Sequence, residues 1–315
     1  MAYQPGSVTA LLAAIWINLA AGTAATETRS SETVGGDKSL TWAATRVAEM
    51  PVIDGKAEAL WDHAKPLTVT VRKAMGGHKS RPVVLRALYT SDALYVLAQW
   101  PDATRSDMRD PHVWNPTSRT YERPTKPDDQ FALEFPIKGD FDISMLPVGR
   151  GYTADVWHWK AGRGNPVGWV DDKWHVISPT PLSQAQELAK KGSGNNYQEY
   201  VLGKHAKVYI ARLMDSGTPS YRAVPLPNAF QGDIVDSYEP CEPTGSLADV
   251  RGKGLHDGKG WTLEMSRRFN TGHDDDVVLA PSKPLPCAIA VLDDELYWQH
   301  YVSPPITLTF QREAH

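Results

Sequence analysis

VVLRALYTSDALYVLAQW, Val83–Trp100, decides the fold class. Two alternating apolar runs, Val83–Tyr89 and Ala93–Trp100, are joined by the polar Thr90-Ser91-Asp92, which is the pattern of an antiparallel β-hairpin. Toward the N-terminus, LTWAATRVA (40–48) reads as a strand. VIDGKAEALWDHAKPLTVTV (52–71) reads as an Asp54-Gly55 turn, one or two helical turns over Lys56–Ala64 and a strand over Leu67–Val71. Toward the C-terminus, Pro101–Asp129 reads as a long polar loop anchored by Trp114, with strands over Gln130–Ile137 and Lys173–Ile177. Leu182–Lys191 is a short helical candidate stopped at Gly192-Ser193-Gly194, and Val201–Pro243 is an elaborated loop region. LADVRGKGLHD (247–257), GKGWTLEMSRRF (258–269), PCAIAVLDD (286–294) and SPPITLTF (303–310) return to strands. With 24 Gly and 24 Pro in 315 residues, the chain predicts a mainly β fold. The expected arrangement is an antiparallel β-sandwich with a few short helices and long loops, one domain over 41–315 with a loop insertion near 179–243.

Hydrophobic residues make up 41% and charged residues 22% of the chain, ordinary for a globular domain. A formal net charge of −4 excludes a strongly basic nucleic-acid binder, and no Lys/Arg run argues otherwise. Residues 1–25 read as a signal peptide. The apolar run VTALLAAIWINLAA (8–21) is too short for a comfortable bilayer span and is followed by the small residues Gly22–Ala25. A periplasmic protein without a membrane span after cleavage is expected, with 26–40 as a flexible lead-in. Cys241 and Cys287 could pair in such a compartment. Neither belongs to a Cys-x-x-Cys or Cys-x-x-Cys-His motif, which argues against covalent haem, an iron–sulfur cluster and structural zinc. No Gly-rich phosphate loop, nucleophile elbow or His-Glu-x-x-His pattern occurs, so hydrolytic or nucleotide-dependent catalysis has no support. His273-Asp274-Asp275-Asp276 lacks the spacing of a calcium loop and reads as a solvated turn. His175, His205, His256 and His273 read as surface residues.

Chemistry concentrates in DISMLPVGRGYTADVWHWKAGRGNPVGWVDD (142–172), where Trp157, Trp159 and Trp169, with Trp174 just beyond, surround His158, Lys160 and Arg163. A plain core has no use for interleaved cations and a thioether. A pocket for a flat, apolar, anionic cofactor with an axially ligated metal does, and haem is that cofactor. Met145 is the first candidate ligand, set against the ordinary use of methionine as a core filler. His300 lies in YWQHYVS beside Tyr301, and His158 competes with it. In a strand Trp157 and Trp159 face one side and His158 the other, so at most one face looks into the pocket. Lys160 and Arg163 could pair with haem propionates or stand solvated on a loop, and Asn165 with Pro166 shapes the turn.

Taken in order, IDGKAEALWDHAKPLTV (53–69), LRALYTSDALYVLAQWPDATRS (85–106), TADVWHWKAGRGNPVGWVDDK (153–173), VRGKGLHDGKGWTLEMSRRFNTGHDDDVVL (250–279) and CAIAVLDDELYWQHYVSPPITLTF (287–310) resemble one family. It is the haem-binding gamma subunit family of ethylbenzene and dimethylsulfide dehydrogenases, molybdenum enzymes of the dimethyl sulfoxide reductase superfamily. The resemblance implies a β-sandwich holding one non-covalent haem b between a methionine and, usually, a lysine. Such a subunit is not itself an enzyme. It exchanges electrons with an iron–sulfur beta subunit, and through it with a molybdenum-containing alpha subunit; a soluble cytochrome c is a possible further redox partner. Matched by position, the methionine is Met145, and the lysine position holds His300, so the second ligand stays open between His300, His158 and a lysine. Two other readings remain: a carbohydrate-binding β-sandwich module without haem, whose Trp rings would be exposed, and a haem carrier serving a membrane or multihaem cytochrome.

Overall fold

The computed structural model describes residues 39–74, 79–143, 145–183, 197–202, 206–294 and 300–311. Among these, fourteen strands form the main sheet. They are β1 (Leu40–Arg46), β2 (Leu67–Lys73), β3 (Ser80–Tyr89), β4 (Ala93–Pro101), β5 (Gln130–Gly139), β6 (Tyr152–Lys160) and β7 (Asp171–Ser178). The later ones are β8 (Tyr197–Leu202), β9 (Ala206–Met214), β10 (Arg251–His256), β11 (Gly260–Arg268), β12 (Leu285–Leu292), β13 (Tyr301–Val302) and β14 (Ile306–Gln311). The expected hairpin is β3–β4, in register from Val84 opposite Gln99 to Tyr89 opposite Leu94.

Strand order along the sheet is β8-β9-β7-β6-β5-β12-β13-β2-β3-β4-β11-β10. It folds over at β13, giving one layer of β8, β9, β7, β6, β5 and β12 and a second of β2, β3, β4, β11 and β10. β1 runs parallel to β14 and to β3 and closes the same corner. At the opposite end Trp169 bridges Arg251, and the Arg251 guanidinium lies 3.3 Å from the Trp169 ring centre. The result is the β-sandwich the alternation predicts.

The core lies between the layers. Phe131, Leu133, Phe135, Trp157 and Trp159 from one meet Val69, Leu85, Val96, Trp100, Trp261 and Leu263 from the other. Burying a Phe or Leu of this kind stabilises the fold by about 1.5–3 kcal/mol, which is why alternation survives so clearly in these strands. A 3₁₀ turn, Ala59–His63, inserts Trp61 against Val47, Leu88, Tyr95 and Leu97 on the outside of the second layer.

Three expectations about connections change. Pro101–Asp129 is not a plain loop: His112–Asn115 pairs with Thr120–Glu122 and with Ile234–Val235. The 179–243 segment supplies β8 and β9 to the main sheet. In YQEYVL every position is half-buried or exposed because β8 is an edge strand, with Val201 exposed as well as Glu199, and this masks the alternation. Cys241 and Cys287 are both free thiols. Cys287 is buried in the core, whereas Cys241 donates to the Pro219 carbonyl at 3.1 Å. The signal peptide, most of the Leu182–Lys191 helix and His205 lie outside the described residues.

Candidate functional site

β6 carries the motif and divides it between two faces. Trp157 and Trp159 point into the core and are fully buried. Trp157 packs edge-on to Phe135 at 5.4 Å, and Trp159 packs on Trp100 at 6.0 Å and Trp261 at 4.9 Å. Trp159 Nε1 donates to Asn165 Oδ1 at 3.0 Å, while Asn165 also holds Gly254 through both backbone groups, at 3.1 and 2.6 Å. These three residues therefore build the core and the β6–β7 turn. Tyr301 is likewise a core residue, under the Arg81 guanidinium at 4.3 Å.

Lys160 and Arg163 both have carboxylate partners within the chain. Lys160 is buried, ion-paired with Asp171, and donates to the Tyr221 hydroxyl at 3.0 Å. Arg163 forks onto Asp128 through Nε at 3.1 Å and Nη2 at 2.8 Å. A charge removed from water requires a partner, and both cations find one inside the chain. Burial alone would raise the Asp171 carboxyl, but Lys160, Lys173 and Arg163 together hold it below its ordinary range.

The other face of β6 looks different. Tyr152, Ala154 and Val156 join Ile177, Val208 and Ile210 in an apolar cluster on the outside of the first layer, and Met145 and Leu146 pack onto it from the 141–150 loop. Met145 holds a left-handed backbone, φ +55°, with its N–H donating to the Asp142 carbonyl at 3.2 Å. That conformation is uncommon for a residue with a long side chain and is characteristic of functional loops.

Farther along this face the register places His158, Ala132, Ala290 and Val302 side by side on β6, β5, β12 and β13. All four are only half-buried, although β5 and β12 are interior strands. At about 4.8 Å between strands, this open strip is about 14 Å across. His300 continues the β2–β13 ladder, its carbonyl accepting from Ala74 N–H at 2.9 Å, so alternation puts it on the face of Val302. Met145, His158 and His300 thus share one face of one layer.

The rim of that face is polar and incompletely satisfied. His158 Nε2, His175 Nδ1 and Glu134 Oε1 are buried atoms without a hydrogen-bond partner. His175 is buried opposite Ala154 on this outer face, beside Arg212, which corrects its reading as a surface residue. Burial first, then the nearby Lys173, Lys160 and Arg163, pushes the His158 imidazole well below its usual range. Burial, then Arg212 and Lys173, does the same to His175. Burial lifts Glu134 to about 8. A neutral imidazole with an open ring nitrogen is the form that binds iron.

A second group escaped sequence reading altogether. Between the layers, Asp155, Asp172 and Asp276 bring carboxylate oxygens within 4.8 Å of one another, all buried. Arg267 ion-pairs with Asp155 and Asp276 and lies 5.0 Å from the Trp157 ring centre. Asp276 is therefore not part of a solvated turn; only its neighbours His273 and Asp274 are exposed. The available signal was Asp155 and Asp172 occupying the core-facing positions beside Trp157.

The ethylbenzene dehydrogenase family profile matches residues 58–302. The chain belongs to that family. No curated protein sequence matches it. Among solved structures, it is similar to a family 9 carbohydrate-binding module from Caldicellulosiruptor kristjanssonii in complex with glucose. The identity is 9%, with 87% of this chain and 98% of that one covered at a TM-score of 0.35. It is also similar to a putative carbohydrate-binding protein from Bacteroides uniformis, at 11% identity, with 86% and 99% covered and a TM-score of 0.38. Among the described residues of this family member, no helix is long and apolar enough to cross a membrane.

Proposed function

We propose that this chain is a periplasmic electron-transfer subunit that binds one non-covalent haem b on the outer face of the first layer. It would serve a molybdenum oxidoreductase through an iron–sulfur subunit. The observation that carries the reading is the half-buried strip His158–Ala132–Ala290–Val302, open at mid-sheet and flanked by Met145 and His300. Alanines there leave a flat apolar floor, and the rim holds two imidazoles kept neutral by burial and by neighbouring cations. Bound haem would supply a one-electron centre. Met145 would hold one side through its thioether, its left-handed turn aiming the side chain back toward the sheet. His300 would hold the other, with the His158 ring facing the same strip. The apolar cluster around Tyr152 and Val156 would exclude water from that side.

A sugar-binding reading needs exposed Trp platforms, and every Trp among the described residues is buried or half-buried. The test is the reduced visible spectrum of the purified full chain. Low-spin bands are expected, lost in Met145→Ala and in His300→Ala, and kept with shifted maxima in His158→Ala. Bands that survive both ligand substitutions would move the ligands elsewhere. A folded chain that takes up no haem on reconstitution would end the proposal.

A further inference from the structure

Apart from the haem reading and independent of it, the space between the layers holds negative charge that the chain does not balance. Asp155 lies on β6, Asp172 on β7, Asp215 directly after β9, and Asp276 in the turn after β11. All four are buried. Arg267 Nη1 serves Asp155 Oδ2 and, at 2.9 Å, Asp276 Oδ1; its Nη2 donates to the Val277 carbonyl at 2.5 Å. Asp155 Oδ2 also accepts Val277 N–H at 3.0 Å, and Thr271 donates to Asp276 Oδ2. That leaves Asp155 Oδ1 and both oxygens of Asp172 and of Asp215 buried with no donor. Asp215 is tied to Asp172 through the backbone, its N–H donating to the Asp172 carbonyl at 3.4 Å.

Unpaired buried carboxylates are costly, and one guanidinium does not offset four. Oxygens of Asp155, Asp172 and Asp276, within 4.8 Å of one another, suit a cation that takes oxygen ligands at about 2.3–2.6 Å in flexible geometry, and the unpartnered Asp215 adjoins them. The donors are all carboxylate, without sulfur, which selects a hard ion. Asp276 also belongs to a second group with Asp249 and the exposed His273, so acidic side chains lead from the surface to the buried cluster.

We propose that Asp155, Asp172, Asp215 and Asp276 form a calcium site that ties β6 and β7 of the first layer to the β11 turn of the second.

The test uses the full chain. Elemental analysis after gel filtration is expected to give one calcium per chain, lost on exhaustive EGTA dialysis. Titration back to about 1 mM Ca²⁺ is expected to raise Tm by several degrees, with Mg²⁺ much less effective. Asp172→Asn and, as an independent variant, Asp215→Asn are expected to abolish the calcium-dependent shift. The opposite result is equally clear. If the dialysed chain neither rebinds calcium nor changes Tm, and Asp172→Asn or Asp215→Asn raises Tm by relieving repulsion, the carboxylates only share protons and the site does not exist.

Discussion

Glu264 shows how one side chain fastens a distant segment. Its Oε1 accepts from Trp61 Nε1 at 2.7 Å, and its Oε2 accepts from the backbone of Gly55 at 2.7 Å and Asp54 at 3.0 Å. Both oxygens are acceptors, so an isosteric amide must turn its NH₂ toward a donor on one side or the other. Glu264→Gln is expected to destabilise by about 2–3 kcal/mol in urea unfolding, although it changes neither volume nor shape. An unchanged midpoint would mean that these contacts contribute nothing net. Such roles were illegible in the sequence because the partners lie some 200 positions apart. The same holds for Lys160 and Arg163: the sequence shows two cations in an aromatic motif, but only the fold reveals that Asp171 and Asp128 have claimed them. His158 was legible in part, since the period of a strand already separated it from Trp157 and Trp159.

At the scale of elements, β10 illustrates a strand shaped by what crosses it. A Cβ on Gly254 would stand 2.5 Å from Trp159 Cζ2 and 3.0 Å from its Cε2. Trp159 has nowhere to retreat, being held between Trp100, Trp261 and Asn165. Gly254→Ala is expected to cost about 1–3 kcal/mol and to perturb near-ultraviolet ellipticity, since the indole must tilt. A fully native spectrum and midpoint would show slack in this packing. RGKGLH reads from sequence as a strand with two glycines, and the purpose of Gly254 appears only when the indole is seen above it. Strands with one apolar face were legible throughout, β3, β4, β5 and β11 most plainly. β8 was not, because an edge strand keeps polar residues where an interior strand cannot.

For the molecule as a whole, buried acids set the direction of its pH response. Burial raises Glu134 to about 8 and Asp129 to about 7, the latter with Oδ1 unpartnered although Ser106 N–H and Trp261 Nε1 reach Oδ2 at 2.8 and 3.1 Å. Each keeps its proton in the folded chain while the unfolded chain has already released it. Stability from these groups is therefore full below about pH 4 and declines as pH rises to about 8, where the native carboxyls ionise too. Glu134→Gln is expected to flatten the dependence of Tm on pH between 5 and 8 and to raise Tm most at pH 8. A parallel curve would show that Glu134 is ionised in both states.

The corner closed by β1 has a consequence for how the chain comes to be folded. β1 lies between β3 and β14, and its Trp42 is wholly enclosed. One neighbour, Ser80–Tyr89, is made soon after it and the other, Ile306–Gln311, far later. A polypeptide delivered from its N-terminal end must keep that berth vacant until Ile306–Gln311 has arrived.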